Sequence, residues 1–312
     1  MKQRLSTLIL SIITVISFAQ QDAQFSHNMF NKLAVNPGYA GTSMAYCATV
    51  LYRNQWMGFP GAPKTLLFSG DAAVEAIHGG LGLTIFSDKL GFDNTFSGKL
   101  AYSFNYPLGP GVLGLGLEVG MMQKSLTGTW IPPQTLADAS IPVNGTKNTT
   151  WDMGFGAYYS TDKLYFGLSS THIPQTDFKG ASGAANYSFD MVRHYYILAG
   201  YDFPLGSSFD LKPSVFIKSD ATTTQYDVNM LALWNKMIWV GASYRHTDAI
   251  VALIGFQKDM GKMNFKVGYS YDVTTSDIKS YSSGTHEILL NFCFKIEPKG
   301  KIQSHQNVRF LR

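Results

Sequence analysis

The chain has 312 residues and a formal net charge of +4, with charged residues making up only 15% of it and no basic run. No cationic stripe exists to track a nucleic-acid backbone, so nucleic acid is excluded as a partner. With 30 Gly, 21 Phe and 17 Tyr, and a mean hydropathy of −0.02, the chain is aromatic and glycine-rich without being apolar overall. That balance suits β-structure that is greasy on one face and wet on the other.

In chain order, Lys2 and Arg4 precede a mostly apolar run from Leu8 to Phe18, and Ser17-Phe18-Ala19 places small residues where a signal peptidase reads. Residues 1–19 are therefore read as a signal peptide cleaved near Ala19, leaving a mature chain that starts at Gln20 or Gln21. No Cys follows the apolar run, which argues against a lipid anchor. Beyond this segment no stretch of about 18 apolar residues occurs, so no helix is expected to span a membrane. Residues 20–44 are assigned to an N-terminal periplasmic segment. Within it, Asn36-Pro-Gly-Tyr-Ala-Gly41 reads as a tight turn that aims the chain into the first strand.

From Ala45 to Ile296 the dominant signal has period two. Trp151, Met153, Phe155, Ala157 and Tyr159 oppose Asp152, Gly154, Gly156 and Tyr158; Leu113, Leu115, Leu117, Val119 and Met121 oppose Gly114, Gly116, Glu118 and Gly120. Alternation of this kind makes strands with one apolar face. About fourteen strands fit, many near the 9 to 11 residues that a tilted strand needs to cross a bilayer. Connections alternate between short turns, such as 106–111, 160–163 and 259–262, and an opposite set containing long polar loops near 123–150, 171–190 and 273–284. The fold class is all-β: a transmembrane antiparallel up-and-down β-barrel of about 14 strands in the bacterial outer membrane. The barrel covers 45–296, and 297–312 forms a periplasmic C-terminal tail.

The faces are assigned by parity. Tyr46, Tyr52, Trp151, Tyr159, Phe209, Trp234 and Tyr244 point outward near strand ends, at headgroup depth. Asp71, Lys99, Glu118, Asp152, Asp202, Asp210, Lys212, Asp227, Arg245, Lys266 and Glu287 point inward; they are read as a solvated, cross-paired lumen wall, ahead of a selectivity lining. Pro213 inside a strand marks an expected bulge. Cys47 and Cys293, near the start of the first strand and the end of the last, are expected to be neighbours across the seam, with two free residues favoured over a disulfide.

Catalytic and metal signals are missing from the spacing. The seven His show no HExxH or other ligand spacing, no GxSxG elbow is present, and the glycines of 114–120 alternate with apolar residues inside a strand instead of forming a nucleotide loop. No catalytic residue, metal or cofactor is assigned, and the protein is read as not an enzyme.

Several stretches in order, Gln24-Phe-Ser-His-Asn-Met-Phe30, Asn36-Pro-Gly-Tyr-Ala-Gly41, Tyr52-Arg-Asn-Gln-Trp56, Gly61-Ala-Pro-Lys-Thr65 and Asn307-Val-Arg-Phe-Leu311, resemble the PorP/SprF family of type IX secretion membrane proteins. Gly38 and Val308 depart from it, standing where Ala and Pro are more usual. The resemblance implies a barrel of the export and gliding machinery that helps to export a particular surface adhesin or anchor it at the cell surface. Its partners would be the adhesin's C-terminal domain, peptidoglycan-linked machinery in the periplasm, and the lipid bilayer. The alternative is an outer-membrane channel or transporter for small solutes. On this reading Arg53, Asn54, Gln55, Trp56, Phe59, Pro63 and Lys64 are family-motif residues of the first extracellular loop and candidates for a lid. Asn36, Pro37, Tyr39, Arg309 and Phe310 are candidates for periplasmic contact.

Overall fold

The computed structural model describes residues 22–128, 145–182 and 185–296. The signal peptide, the tail with Arg309 and Phe310, and residues 129–144 of the loop near 123–150 lie outside the described residues.

Seventeen strands are present among them: β1 (Ala45–Asn54), β2 (Lys64–Val74), β3 (Gly79–Leu90), β4 (Asp93–Leu108), β5 (Gly111–Leu126), β6 (Thr146–Ser160), β7 (Leu164–Thr171), β8 (Asp177–Ser182), β9 (Ala185–Asp190), β10 (His194–Tyr201), β11 (Phe203–Leu205), β12 (Phe209–Ser219), β13 (Thr224–Trp234), β14 (Ile238–Arg245), β15 (Ala249–Asp259), β16 (Met263–Thr274) and β17 (Thr285–Lys295). Fourteen of them, all except β8, β9 and β11, make a closed antiparallel barrel. It is completed where β1 pairs with β17 and β10 pairs with β12. β8 and β9 pair only with each other, as a hairpin inside the loop between β7 and β10.

Parity holds along the strands. Leu115, Leu117, Val119 and Met121 of β5 are exposed on the outside, while Glu118 is buried. Of the expected outward aromatics, Tyr46, Tyr52, Trp151, Phe209, Trp234 and Tyr244 are exposed, and Tyr159 is half-buried with its hydroxyl donating to the Leu108 carbonyl. Closing the sheet leaves no free edge, so each spanning strand satisfies its backbone groups on its neighbours, as the hydrocarbon layer requires.

Two expectations are corrected. Pro213 makes no bulge: the β12–β13 register runs unbroken from Phe209↔Trp234 to Ser219↔Thr224. Its missing N–H falls on the other side, where the ladder to β10 stops at Gly200↔Ser214 and resumes in β11 at Phe203↔Leu211. The short β11 is thus β10 continued past a gap that the proline opens. Cys47 and Cys293 are neighbours in register across the seam as expected, with Cα atoms 4.1 Å apart, but they form a disulfide, not two free residues. Closely paired antiparallel positions bring the two sulfurs within bonding reach without moving the backbone.

A lumen filled by the N-terminal segment as the candidate functional site

The lumen is occupied by the chain's own N-terminal segment. Residues 22–44 do not extend beyond the short-turn rim, as the sequence reading placed them; they run inside the barrel from near its long-loop end to the start of β1. Asn36 and Pro37, expected to contact periplasmic machinery, are buried against the inner wall, and Tyr39 is half-buried. The physical reason is that a closed fourteen-strand barrel encloses more space than its wall side chains fill, and this segment carries the apolar and hydrogen-bonding groups to fill it.

Glycine on the inner face creates the seat for the lower part of the segment. Pro37–Tyr39 forms one 3-10 turn, capped by the Asn36 side chain, which accepts from the Gly38 amide. A Cβ at Gly116 would lie 2.2 Å from the Pro37 carbonyl carbon, one at Gly114 2.0 Å from the Gly38 oxygen, and one at Gly156 2.2 Å from Asn36 Oδ1. The alternating glycines of β5 and β6 are therefore a trough for backbone. Asn36 Nδ2 donates to the Ala157 and Leu168 carbonyls at 3.0 and 3.2 Å. Ser103 donates to the Gly38 carbonyl, Asn105 to the Ala40 carbonyl, and the Gly41 amide to Asp71. Gly41 has φ +71°, a left-handed conformation that turns the chain toward β1.

Apolar side chains fasten the middle. Phe25 packs with Leu51, Leu67 and Leu289. Met29 packs with Leu231, Leu233, Trp239, Val251 and Leu253, with Phe30 against the same cluster; Leu33 and Ala40 meet Ala101. Each fully buried side chain of this size contributes about 1.5–3 kcal/mol.

The upper part is held by ions. Glu287 accepts from the Ser26 and His27 amides, both at 2.8 Å, and its Oε1 lies 2.7 Å from His27 Nδ1. Arg53 donates to Glu287, Asp272 and the Ser26 hydroxyl. Arg245 pairs with Asp227 and Asp272, and Asn28 donates to Asp227. Arg53, Arg245, Asp272 and Glu287 are each at most 1% exposed. On the opposite wall Lys99 bridges Glu118 and Asp152 at 2.9 and 3.1 Å, and Asp152 meets His172, whose other nitrogen faces Asp22. Of the inward charges, Lys99, Glu118, Asp152, Asp202, Lys212, Asp227, Arg245 and Glu287 are paired, whereas Asp71 accepts from the Gly41 amide and Lys266 lies over the Phe30 ring; Glu118, Asp152, Asp227, Arg245 and Glu287 are buried beneath the segment and not solvated. Asp202 and Lys212 pair with each other near the short-turn end, half-exposed. Buried charges of this kind persist only where partners offset their desolvation, and the segment's amides supply part of that to Glu287.

The motif loop of residues 55–63 has a different place. Arg53 is not part of a lid: it faces the lumen at the end of β1 and belongs to the lock on Ser26. The Trp56 amide donates to Thr285 Oγ1 at 3.0 Å, and Met57 exchanges backbone hydrogen bonds with Gly284 and Ser283. This loop is thus fastened to the last one. Trp56 is half-buried, Pro63 is buried and Phe59 is exposed, while Asn54 and Lys64 close the β1–β2 ladder and Gln55 donates to the Pro63 carbonyl. Sequence reasoning missed the lumenal role of residues 22–35, although one signal was present. Inward glycines on two adjacent strands, at 114, 116, 154 and 156, carve a trough that something must fill.

A closed fourteen-strand barrel with an apolar belt, short turns at one end and a filled lumen defines an outer-membrane β-barrel protein. Residues 17–292 match the family described as type IX secretion system membrane protein PorP/SprF, and the chain belongs to that family. It is thus an outer-membrane component of type IX secretion, which implies the machinery and the bilayer as partners. No curated protein matches. Among solved structures, the barrel is similar to the Pseudomonas putida toluene transporter TodX, at 10% identity and a TM-score of 0.50 over 88% of this chain and 95% of that one. It is likewise similar to the TodX deltaS2S3 mutant monoaromatic hydrocarbon channel, at 10% identity and a TM-score of 0.51 over 85% and 94%. At such identity these likenesses establish the fold alone.

Proposed function

We propose that this barrel helps to export a specific secreted surface adhesin, or to hold it at the cell surface, as a docking protein and not as a route for small solutes. The filled lumen supports this reading. A diffusion channel needs a continuous wetted path, whereas here hydrogen bonds to buried charges and apolar clusters join the N-terminal segment to walls on both sides of the barrel. With the lumen occupied, the adhesin's C-terminal domain is left the long-loop end, where the β8–β9 hairpin and the linked loops 55–63 and 275–284 stand. The short-turn end and the tail beyond 296 face the peptidoglycan-linked machinery. Deleting the gene should abolish surface display of one adhesin while leaving solute uptake intact, and that adhesin should copurify with the barrel from outer membranes. Solute flux through the purified wild-type protein in liposomes, with normal adhesin display in the deletion strain, would overturn the reading.

A further inference from the structure

Near the long-loop end, Asp22, His172 and His194 bring one ligand atom each to within 4.8 Å of one another. We infer that these three residues bind a single Zn²⁺-class ion that ties the N-terminal segment to β7 and β10. The inference is independent of what the barrel docks.

The ring tautomers support it. His194 Nδ1 lies 2.9 Å from the Val192 carbonyl, which can only accept, so Nδ1 carries the proton and a neutral ring presents its Nε2 lone pair. That Nε2 accepts the Asp22 amide N–H at 3.5 Å, a long bond that a bound cation would displace. His172 Nδ1 lies 2.8 Å from Asp152 Oδ2 as an ion-pair contact, and its Nε2 lies 3.1 Å from Asp22 Oδ1. His194 is held as ligating histidines are, with the far nitrogen donating to a backbone carbonyl, and His172 has a carboxylate beside its far nitrogen. Asp22 is oriented too: the Tyr196 hydroxyl donates to Oδ2 at 2.6 Å.

Charge and space agree. Asp22, Asp152 and Glu118 carry three negative charges around the cluster, against the ammonium groups of Lys99 and Lys218, the latter donating to the Asp22 carbonyl. A cation bound here takes the place of the proton that otherwise bridges His172 Nε2 and Asp22, which is released on binding. Both His are buried, while the Asp22 side chain is 34% exposed toward a cavity of about 290 Å³ that offers entry and room for a water as fourth ligand. Tetrahedral zinc with ligands at about 2.0–2.1 Å sets them roughly 3.4 Å apart; His172 Nε2 and Asp22 Oδ1 stand 3.1 Å apart, and all three ligand atoms lie within 4.8 Å of one another. Two imidazoles and one carboxylate favour zinc-class ions over Ca²⁺ or Mg²⁺, which take oxygen ligands. Ligand spacing along the chain could not show this site, because the residues stand at 22, 172 and 194 and meet only when the segment enters the lumen.

The test uses full-length protein purified from outer membranes in detergent, stripped with chelator and titrated with Zn²⁺ alone. About one equivalent is expected to remain after dialysis. Asp22→Asn and His194→Ala should each weaken binding at least tenfold, and Asp152→Asn, which removes the carboxylate beside His172 Nδ1 and one partner of Lys99, by about 10–100-fold. Co²⁺ should give a tetrahedral visible spectrum that His194→Ala abolishes. If His194→Ala fails to fold, Asp22→Asn decides, since it changes the segment and not the wall. Wild-type protein that retains no zinc, as a plain Asp22–His172–Asp152 ion pair would, overturns the inference, as does Asp22→Asn protein with wild-type affinity.

Discussion

Replacing Gly116 by Ala tests whether the trough in β5 is what seats the N-terminal segment. The new Cβ would lie 2.2 Å from the Pro37 carbonyl carbon, 2.3 Å from the Gly38 nitrogen and 2.5 Å from the Pro37 oxygen. All three are backbone atoms, so relief requires the 36–40 turn to retreat by about an ångström or more to reach ordinary contact. That retreat breaks the Asn36 bonds to the Ala157 and Leu168 carbonyls and the Ser103 bond to the Gly38 carbonyl. At about 1 kcal/mol each, the loss is roughly 3 kcal/mol. This corresponds to roughly a hundredfold rise in the displaced population. The barrel itself should tolerate the change, because Gly116 pairs with Ser103 and Gly156 through its backbone. The assay is trypsin cleavage at Lys32 in folded protein, alongside single-protein conductance in planar bilayers. Both should rise in Gly116→Ala and further in the Gly114→Ala, Gly116→Ala double variant, while Leu115→Ala, exposed on the same strand, behaves as wild type. Wild-type protection and conductance in the double variant, with barrel formation intact, would refute the seating.

The remaining predictions concern the other fastenings. Arg53→Ala strips Glu287 and Asp272 of a buried guanidinium and should cost about 3–5 kcal/mol, read as a lower thermal midpoint and faster cleavage of the segment. Arg53→Lys should recover little of it, since an ammonium cannot reproduce the fork that reaches both carboxylates. Glu287→Gln weakens the acceptor to which the Ser26 and His27 amides donate and should raise conductance through the filled lumen, whereas Trp56→Ala should not. The Cys47→Ser, Cys293→Ser variant loses the staple across the seam and should unfold about 2–4 kcal/mol more easily by denaturant titration, with reductant producing the same shift in wild type but not in the variant.

What the sequence determined by itself was everything carried by local periodicity. An alternating apolar face is written into successive residues such as Leu115, Leu117 and Val119, so strands, their parity, their number and the membrane belt were all legible without partners. The adjacency of Cys47 and Cys293 followed from closure alone. The lumen's contents were not legible in this way. Residues 22–44 have no period to read, because they adopt no regular element beyond one 3-10 turn, and their partners lie on strands from β1 to β17. Gly116 looked merely small until Pro37 was seated on it, and Glu287 looked like a solvated wall charge until Ser26 and His27 were found bonded to it. Such contacts exist only once fourteen strands close into a concave surface and the chain's own beginning is folded into it, because burial and electrostatic pairing are properties of that enclosure and not of any stretch of chain.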